Sequence, residues 1–186
     1  LPLGQVRSEH VHFGSGQLAL RAVLAEGRTP ITADLHWEVR PLKLDSSSAE
    51  EKERVEDRAT CLFSLESGRY RVTARYGSTS VSEVVEVNAG VTQTYTLNLA
   101  AGEARVFGSL PPPGGSLNEA VDWEVYRLAG PSAGKAERVA QEKGPNYSFI
   151  LPAGRYRISG RLGKLRGDSL VDLLPGESRP VDVVMR

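Results

Sequence analysis

Apolar and polar residues alternate with a period of two along most of the chain. Leu35, Trp37 and Val39 fall on one side of such a segment, whereas His36 and Glu38 fall on the other. This pattern is typical of a β-strand that packs one face on a core and exposes the other to solvent. The first half alternates in this way at residues 17–24, 35–39, 61–65, 70–76, 85–87 and 95–99, with a weaker segment near 54–57. The sequence therefore predicts an all-β fold.

The whole set of segments occurs twice. Residues 63–77 return as residues 149–163, at an offset of 86 positions, and the same offset carries Trp37 onto Trp123. About seven short strands in some 85 residues, separated by turn residues, is the size and rhythm of an immunoglobulin-like β-sandwich. We therefore predict two β-sandwich repeats related by internal duplication, the first over residues 16–101 and the second over residues 102–186.

Two further predictions about organisation follow from this offset. Applied backwards, it places Gly4 on Gly90 and Val11 on Leu97. Residues 1–15 therefore read as the terminal strand of a preceding repeat, and the chain as part of a longer array. The join at residues 99–102 leaves almost no free linker, so the two repeats should lie end to end in a fixed relation.

One motif within the repeat carries a family resemblance. Leu65-Glu-Ser-Gly-Arg-Tyr-Arg-Val72 and Leu151-Pro-Ala-Gly-Arg-Tyr-Arg-Ile158 resemble the Leu-Pro-x-Gly-x-Tyr-x-Val signature of carboxypeptidase-regulatory-like and collagen-adhesin B-type repeats. The resemblance implies a transthyretin-like β-sandwich. In physical terms, the glycine permits a turn between two strands, and the tyrosine packs inward with its hydroxyl free to reach backbone at that corner.

The chain also resembles the tandem repeats found behind von Willebrand A-type domains in large bacterial cell-envelope proteins. This resemblance implies a periplasmic, cell-surface or secreted location. The motif is specific for the fold and not for a function, because such modules serve as spacers, adhesin stalks and ancillary binding domains.

Charge and cysteine content narrow the possible partners. Lys plus Arg equals Asp plus Glu at 23 each, so no net charge attracts nucleic acid or an anionic membrane. No apolar run reaches the roughly 18 residues of a membrane-spanning helix, and we expect no membrane insertion. The lone cysteine, Cys61, excludes an intrachain disulfide. Its alternation with Phe63 and Leu65 predicts a buried structural thiol.

Motifs for catalysis or cofactor binding are missing from the sequence. It contains no nucleophile elbow, zinc-protease helix motif or phosphate-binding loop, so we predict a non-enzymatic protein without a cofactor. His10 and His12 share one strand face and could supply two metal ligands. Because no cysteine or nearby pair of carboxylates completes the set, we expect these histidines to be solvated.

Some adhesin repeats of the family that this chain resembles form an isopeptide bond from a lysine in the first strand to an Asn or Asp in the last. The first strands here contain Arg21 and Arg105 but no lysine, and a guanidinium group is not a nucleophile. Asn98 and Asp182 lie in the last strands at outward positions. We therefore expect no isopeptide bond.

Trp37 and Trp123 could in principle stack against a sugar ring, but their apolar register predicts that they belong to the core.

The remaining candidate site is a row of outward arginines in each repeat. The rows consist of Arg69, Arg71 and Arg75 in the first repeat and Arg155, Arg157 and Arg161 in the second. They could bind a protein or an anionic glycan. Alternatively, they could pair across the sheet with outward acids, of which the sequence offers Asp34, Glu38, Asp122 and Glu124. We favour a rigid spacer, scaffold or protein-interaction module, and keep the anionic polysaccharide or protein-binding module as the alternative.

Overall fold

The computed structural model describes residues 14–42, 53–128 and 136–186. Within these ranges every regular element is a β-strand, which confirms the predicted all-β class. The described ranges contain no helix long and apolar enough to span a membrane. The strands are β1 (Ser15–Val23), β2 (Leu35–Pro41), β3 (Arg54–Arg58), β4 (Cys61–Glu66), β5 (Gly68–Tyr76), β6 (Thr79–Val87), β7 (Thr92–Asn98), β8 (Ala101–Ser109), β9 (Val121–Arg127), β10 (Glu137–Gly144), β11 (Asn146–Pro152), β12 (Gly154–Leu162), β13 (Leu165–Leu173) and β14 (Ser178–Val184).

Strands β1 to β7 form two sheets. One is three-stranded, in the order β4-β1-β7, and the other is four-stranded, in the order β3-β2-β5-β6. The first strand pairs antiparallel with β4 and parallel with β7. The weak segment predicted near residues 54–57 is β3, an edge strand whose residues are all exposed. This exposure explains its weak hydrophobic pattern. Most of the predicted extra strand at residues 1–15 lies outside the described residues.

Strands β8 to β14 repeat this arrangement, with sheets β11-β8-β14 and β10-β9-β12-β13. Here β8 is antiparallel to β11 and parallel to β14, so both the order and the directions of the strands are duplicated. Each half encloses its own cluster of buried apolar side chains between its two sheets. The internal repeat seen in the sequence therefore corresponds to two seven-stranded β-sandwiches.

The two tryptophans lie at the centres of these cores. Trp37 and Trp123 are both 0% exposed. Their indole N–H groups donate to the carbonyl oxygens of Arg58 and Gly144, each at 2.9 Å. Burial with a satisfied N–H is the arrangement that a core tryptophan requires. The core prediction is confirmed, and neither indole is available to stack on a sugar.

The tyrosines of the shared motif hold the corner at which the chain passes from one sheet to the other. Ser67 alone separates β4 from β5, which belong to different sheets. The Tyr70 hydroxyl donates to the carbonyl oxygen of Glu66 at 2.9 Å, and Tyr156 donates to that of Pro152 at 2.6 Å. The prediction that each tyrosine packs inward and reaches the backbone at this corner is confirmed.

Candidate functional site: the arginine faces and the junction

Both arginine rows lie on the outer faces of the four-stranded sheets, which we call the arginine faces. Along β5, the buried Tyr70 and Val72 alternate with the exposed Arg69 and Arg71, as expected from the pleat of a strand. The strand β12 presents Arg155, Arg157 and Arg161 on the equivalent outer face. The order of strands in each sheet then decides which side chains each arginine meets.

Glu38 is the centre of the first arginine face. Its carboxylate lies 2.7 Å from Nη1 of Arg75 and 3.4 Å from both Nη2 of Arg40 and Nε2 of His36. Glu38 is 8% exposed although it points away from the core, because the side chains of Arg75, Arg40 and His36 surround it. Arg40 also contacts Glu53 at 2.7 Å. The hydrogen bond and charge of Glu53 raise the pKa of Arg40.

Arg69 and Arg71 differ from Arg75. Neither guanidinium group forms an ion pair or a hydrogen bond with any residue that the structure describes. Arg71 faces Arg40 across the β2–β5 ladder and Val84 across the β5–β6 ladder. The Val84 side chain is itself exposed. This part of the first arginine face is therefore open to solvent.

All three arginines of the second row have neighbours within their own sheet. Arg155 lies 3.6 Å from Asp172, and Arg161 lies 3.8 Å from Asp122. The guanidinium carbon of Arg157 lies 4.8 Å from the centre of the Tyr126 ring, a cation–π contact. The Nε atom of Arg157 is buried and has no hydrogen-bond partner among the described residues.

Glu124 occupies the position in the second repeat that Glu38 occupies in the first, but it has different partners. It accepts a hydrogen bond from the Tyr126 hydroxyl at 2.9 Å and one from Arg138 of β10 at 2.7 Å. These two hydrogen bonds lower the pKa of Glu124, with Tyr126 as the larger cause. The acid at the centre of each arginine face is thus held by cations or donors of its own sheet.

The pairings expected from the sequence occur in part. Glu38 and Asp122 do contact the arginine rows. The described residues form no ion pair with Asp34, which lies before β2, and Glu124 pairs with Arg138 instead of with β12. The sequence did not predict the ion pairs of Glu53 with Arg40 and of Arg138 with Glu124, because these contacts depend on which strand lies beside β2 and β9.

The described residues do not form the isopeptide or metal sites that were considered from the sequence. Arg21 donates to the Thr96 hydroxyl at 2.7 Å, and Asn98 accepts from the Ala100 backbone N–H at 2.9 Å, so the two positions of the first repeat considered for an isopeptide bond are engaged elsewhere. The described residues contain no metal-binding cluster of His, Cys, Asp and Glu, and His10 and His12 lie outside them. Cys61 is buried, as predicted, and burial raises the pKa of its thiol to about 11.

The junction between the repeats is the second feature that bears on function. Two residues, Leu99 and Ala100, lie between β7 and β8. The Leu99 N–H donates to the carbonyl oxygen of Val23 at 2.9 Å, and the Ala100 carbonyl oxygen accepts from the N–H of Ala153 at 2.9 Å. The connecting segment is therefore hydrogen-bonded to both repeats.

A second set of contacts lies beside this segment. Ile150 of β11 projects from the second repeat and packs against the core cluster of the first. Its carbonyl oxygen accepts from the backbone N–H of Ser78, in the β5–β6 turn, at 3.0 Å. Ser64 occupies the same position in the first repeat and is exposed. An apolar residue thus stands where the second repeat meets the first.

Comparisons with known proteins do not assign a family. No protein-family model and no curated protein match the chain. Among solved structures, similar chains include the Bacillus anthracis TIE protein (17% identity over 92% of this chain and 34% of that one, TM-score 0.36). Another is the minor pilin of Streptococcus agalactiae, with 11% identity over 91% of this chain and 95% of that one and a TM-score of 0.41. The shaft pilin SpaA of Lactobacillus rhamnosus GG has 8% identity over 92% of this chain and 96% of that one, with a TM-score of 0.41. This chain spans about a third of the TIE protein. Similarity this low carries no argument about function.

Proposed function

We propose that this pair of β-sandwiches is a non-enzymatic, rigid spacer or scaffold of an extracytoplasmic bacterial protein, which presents a neighbouring domain or a partner-binding face. The observation that carries this proposal is the junction. Backbone hydrogen bonds tie the two connecting residues to both repeats, and Ile150 packs across the boundary. Bending between the repeats would break these hydrogen bonds and expose an apolar side chain, which opposes hinge motion.

The arginine faces support the same proposal. Arg75, Arg155, Arg157 and Arg161 are engaged with acids or an aromatic ring of their own sheet. Four of the six arginines therefore have contacts within their own sheet, and a surface engaged mainly from within is what a spacer requires. The proposed location in the periplasm, at the cell surface or outside the cell rests on the family resemblance of the repeat motif.

One observation favours the alternative, in which an arginine face binds an anionic polysaccharide or a protein. Arg69 and Arg71 have no partner among the described residues, and Arg71 lies across the ladder from the exposed Val84, whereas Arg69 lies across from Glu86. Two open guanidinium groups on one outer face could hold a carboxylate or sulfate group. They occupy the first repeat alone, so this site would not be duplicated.

Residual dipolar couplings measured on the intact chain test the spacer proposal. A rigid pair of domains gives one alignment tensor for both repeats. Replacing Ile150 with serine, the residue at the equivalent position of the first repeat, should make the two tensors diverge while both repeats stay folded. Two independent tensors in the unmodified chain would overturn the proposal.

Heparin, used as an anionic polysaccharide probe, tests the alternative. Salt-dependent heparin binding that is lost in Arg69→Ser/Arg71→Ser would support it. The matched control is Arg75→Ser, because Arg75 already pairs with Glu38. No detectable binding at low salt would exclude the arginine face as a site for this class of ligand.

A further inference from the structure

A groove occurs at the same place in both repeats, beside the three-stranded sheets and away from the arginine faces. In the first repeat it has a volume of about 530 Å³ and in the second about 570 Å³. Residues 19–21 and 60–62 line the first groove, and their counterparts at the 86-residue offset, 105–107 and 146–148, line the second. Both volumes fall in the range of about 300–1,000 Å³ typical of ligand pockets.

The groove of the second repeat, which we call the Phe107 groove, is built around one aromatic ring. Phe107 lies on the outer side of β8 and is half-buried, directly across the ladder from Asn146 of β11. Asn118 lines the same groove from the segment before β9. Beneath them, the rings of Tyr147 and Phe149 are in contact, with centroids 4.7 Å apart, and Phe149 belongs to the core. The core therefore supports the groove from below.

The polar groups of the Phe107 groove are available to a ligand. The side chains of Arg105, Asn118 and Asn146 are exposed and form no hydrogen bond or ion pair with any described residue. Ser116 and Ser148 add two hydroxyl groups, and none of the described lining residues is acidic. Amide and guanidinium groups that converge beside a partly exposed ring, without internal partners, are typical of a binding site rather than of a structural network.

The first repeat shows that the fold does not require these groups. At the positions of Arg105 and Phe107 it has Ala19 and Arg21. Arg21 donates to Thr96 at 2.7 Å, and Arg58 lies 3.7 Å from Glu56. Its groove is therefore occupied by charged side chains that have partners within the domain. The second repeat has the same backbone arrangement with an aromatic ring and free amides in their place.

The chemistry of the Phe107 groove suits a ligand that combines many hydroxyl groups with an apolar face. Asparagine side chains offer both a donor and an acceptor, which matches adjacent hydroxyl groups on a ring. A partly exposed aromatic ring offers a flat apolar surface for the C–H face of a sugar. We propose that the Phe107 groove binds a saccharide. The ring stacks on Phe107, its hydroxyl groups meet Asn118 and Asn146, and Arg105 accommodates a sugar carboxylate where one is present.

The test is a nitrogen-15 NMR titration of the intact chain with three probes: cellobiose, N,N′-diacetylchitobiose and an unsaturated hyaluronan disaccharide. At least one probe should cause saturable shifts of backbone amides on β8, on β11 and at residues 116–118. Phe107→Arg, which installs the first repeat's residue, should weaken that binding by about tenfold or more. Because Phe107 is partly exposed, this variant should keep its fold, which the unchanged amides elsewhere will show.

Two further variants complete the test. Asn146→Asp keeps the size of the side chain but removes its donor, and it should also weaken binding. Arg21→Ala, in the groove of the first repeat, is the matched control and should leave binding unchanged. The proposal is overturned if no probe shifts the groove amides, if binding survives Phe107→Arg, or if the shifts centre on an arginine face.

Discussion

Gly77 lies against Ile150 across the junction between the two repeats. A methyl group at Gly77 would lie 2.8 Å from Cβ of Ile150, closer than non-bonded carbon atoms approach in a packed protein. Gly77 also has a φ of 57°, a conformation that glycine adopts without steric cost. At the equivalent position of the second repeat, Gly163 has a φ of 58° and no atom near enough to contact such a methyl group.

This pair of glycines provides a matched test of the junction. Gly163→Ala should cost about 1–2 kcal/mol, because alanine is strained in the left-handed conformation. Gly77→Ala carries the same strain and must also displace Ile150, so it should destabilise the chain more and loosen the relative orientation of the repeats. Urea denaturation and residual dipolar couplings measure the two effects. Equal behaviour of the two variants would show that the contact has no energetic importance.

The buried tryptophans predict a large loss of stability on truncation. Trp37→Ala should reduce the free energy of unfolding by about 3–5 kcal/mol, because it empties a large aromatic site and leaves the Arg58 carbonyl oxygen without its indole donor. Trp123→Ala should reduce the free energy of unfolding by a similar amount. Leu62→Ala is the control, since the Leu62 side chain is 62% exposed. A loss under about 1 kcal/mol for Trp37→Ala, measured by urea denaturation, would contradict its place in the core.

Removing either of two arginines in the same row should affect the stability of the first repeat to different extents. Arg75→Ala takes the closest cation from the enclosed carboxylate of Glu38 and should destabilise the first repeat by up to about 1 kcal/mol, the upper range for exposed ion pairs. Arg71→Ala should change stability little, because its side chain has no partner among the described residues. Thermal denaturation at low and high salt separates the two, since salt should reduce the effect of Arg75→Ala. A larger loss for Arg71→Ala would contradict the pairing.

The thiol of Cys61 predicts a dependence of stability on pH. Burial raises its pKa to about 11 in the folded chain, against about 8.5 for an exposed thiol. The unfolded chain therefore loses this proton first. The contribution of the protonated thiol to stability is complete below about pH 8.5 and is lost as the pH rises towards 11. The free energy of unfolding, measured by urea denaturation across this pH range, should decline more steeply for the unmodified chain than for Cys61→Ala. A smaller decline should remain in Cys61→Ala, because tyrosines also titrate at high pH.

Alkylation of the native chain offers an independent check on the same thiol. Iodoacetamide reacts with the thiolate, so at pH 8 the native protein should react far more slowly than the urea-unfolded protein. Equal rates in the two states, or identical pH profiles for the unmodified chain and Cys61→Ala, would mean that the thiol is not protected.

The sequence by itself determined the class of fold, the duplication and the composition of both cores. Period-two alternation separates the two faces of a strand wherever one face is buried, and this identified Trp37, Trp123 and Cys61 as interior residues. The repeated Gly-Arg-Tyr motif marked the corner that Tyr70 and Tyr156 hold. The exposed strand β3 gave a weak signal because neither of its faces is buried.

Only the tertiary structure decided which side chains meet. Alternation assigns a residue to a face of a strand but not to a neighbour, since neighbours depend on strand order and register. Glu38 is enclosed and Glu124 pairs with Arg138 because β2 and β9 each lie between two particular strands. The contact of Ile150 with the first repeat and the convergence of Phe107, Asn118 and Asn146 join segments distant in sequence. Such contacts arise when sheets pack, which no local pattern in the chain records.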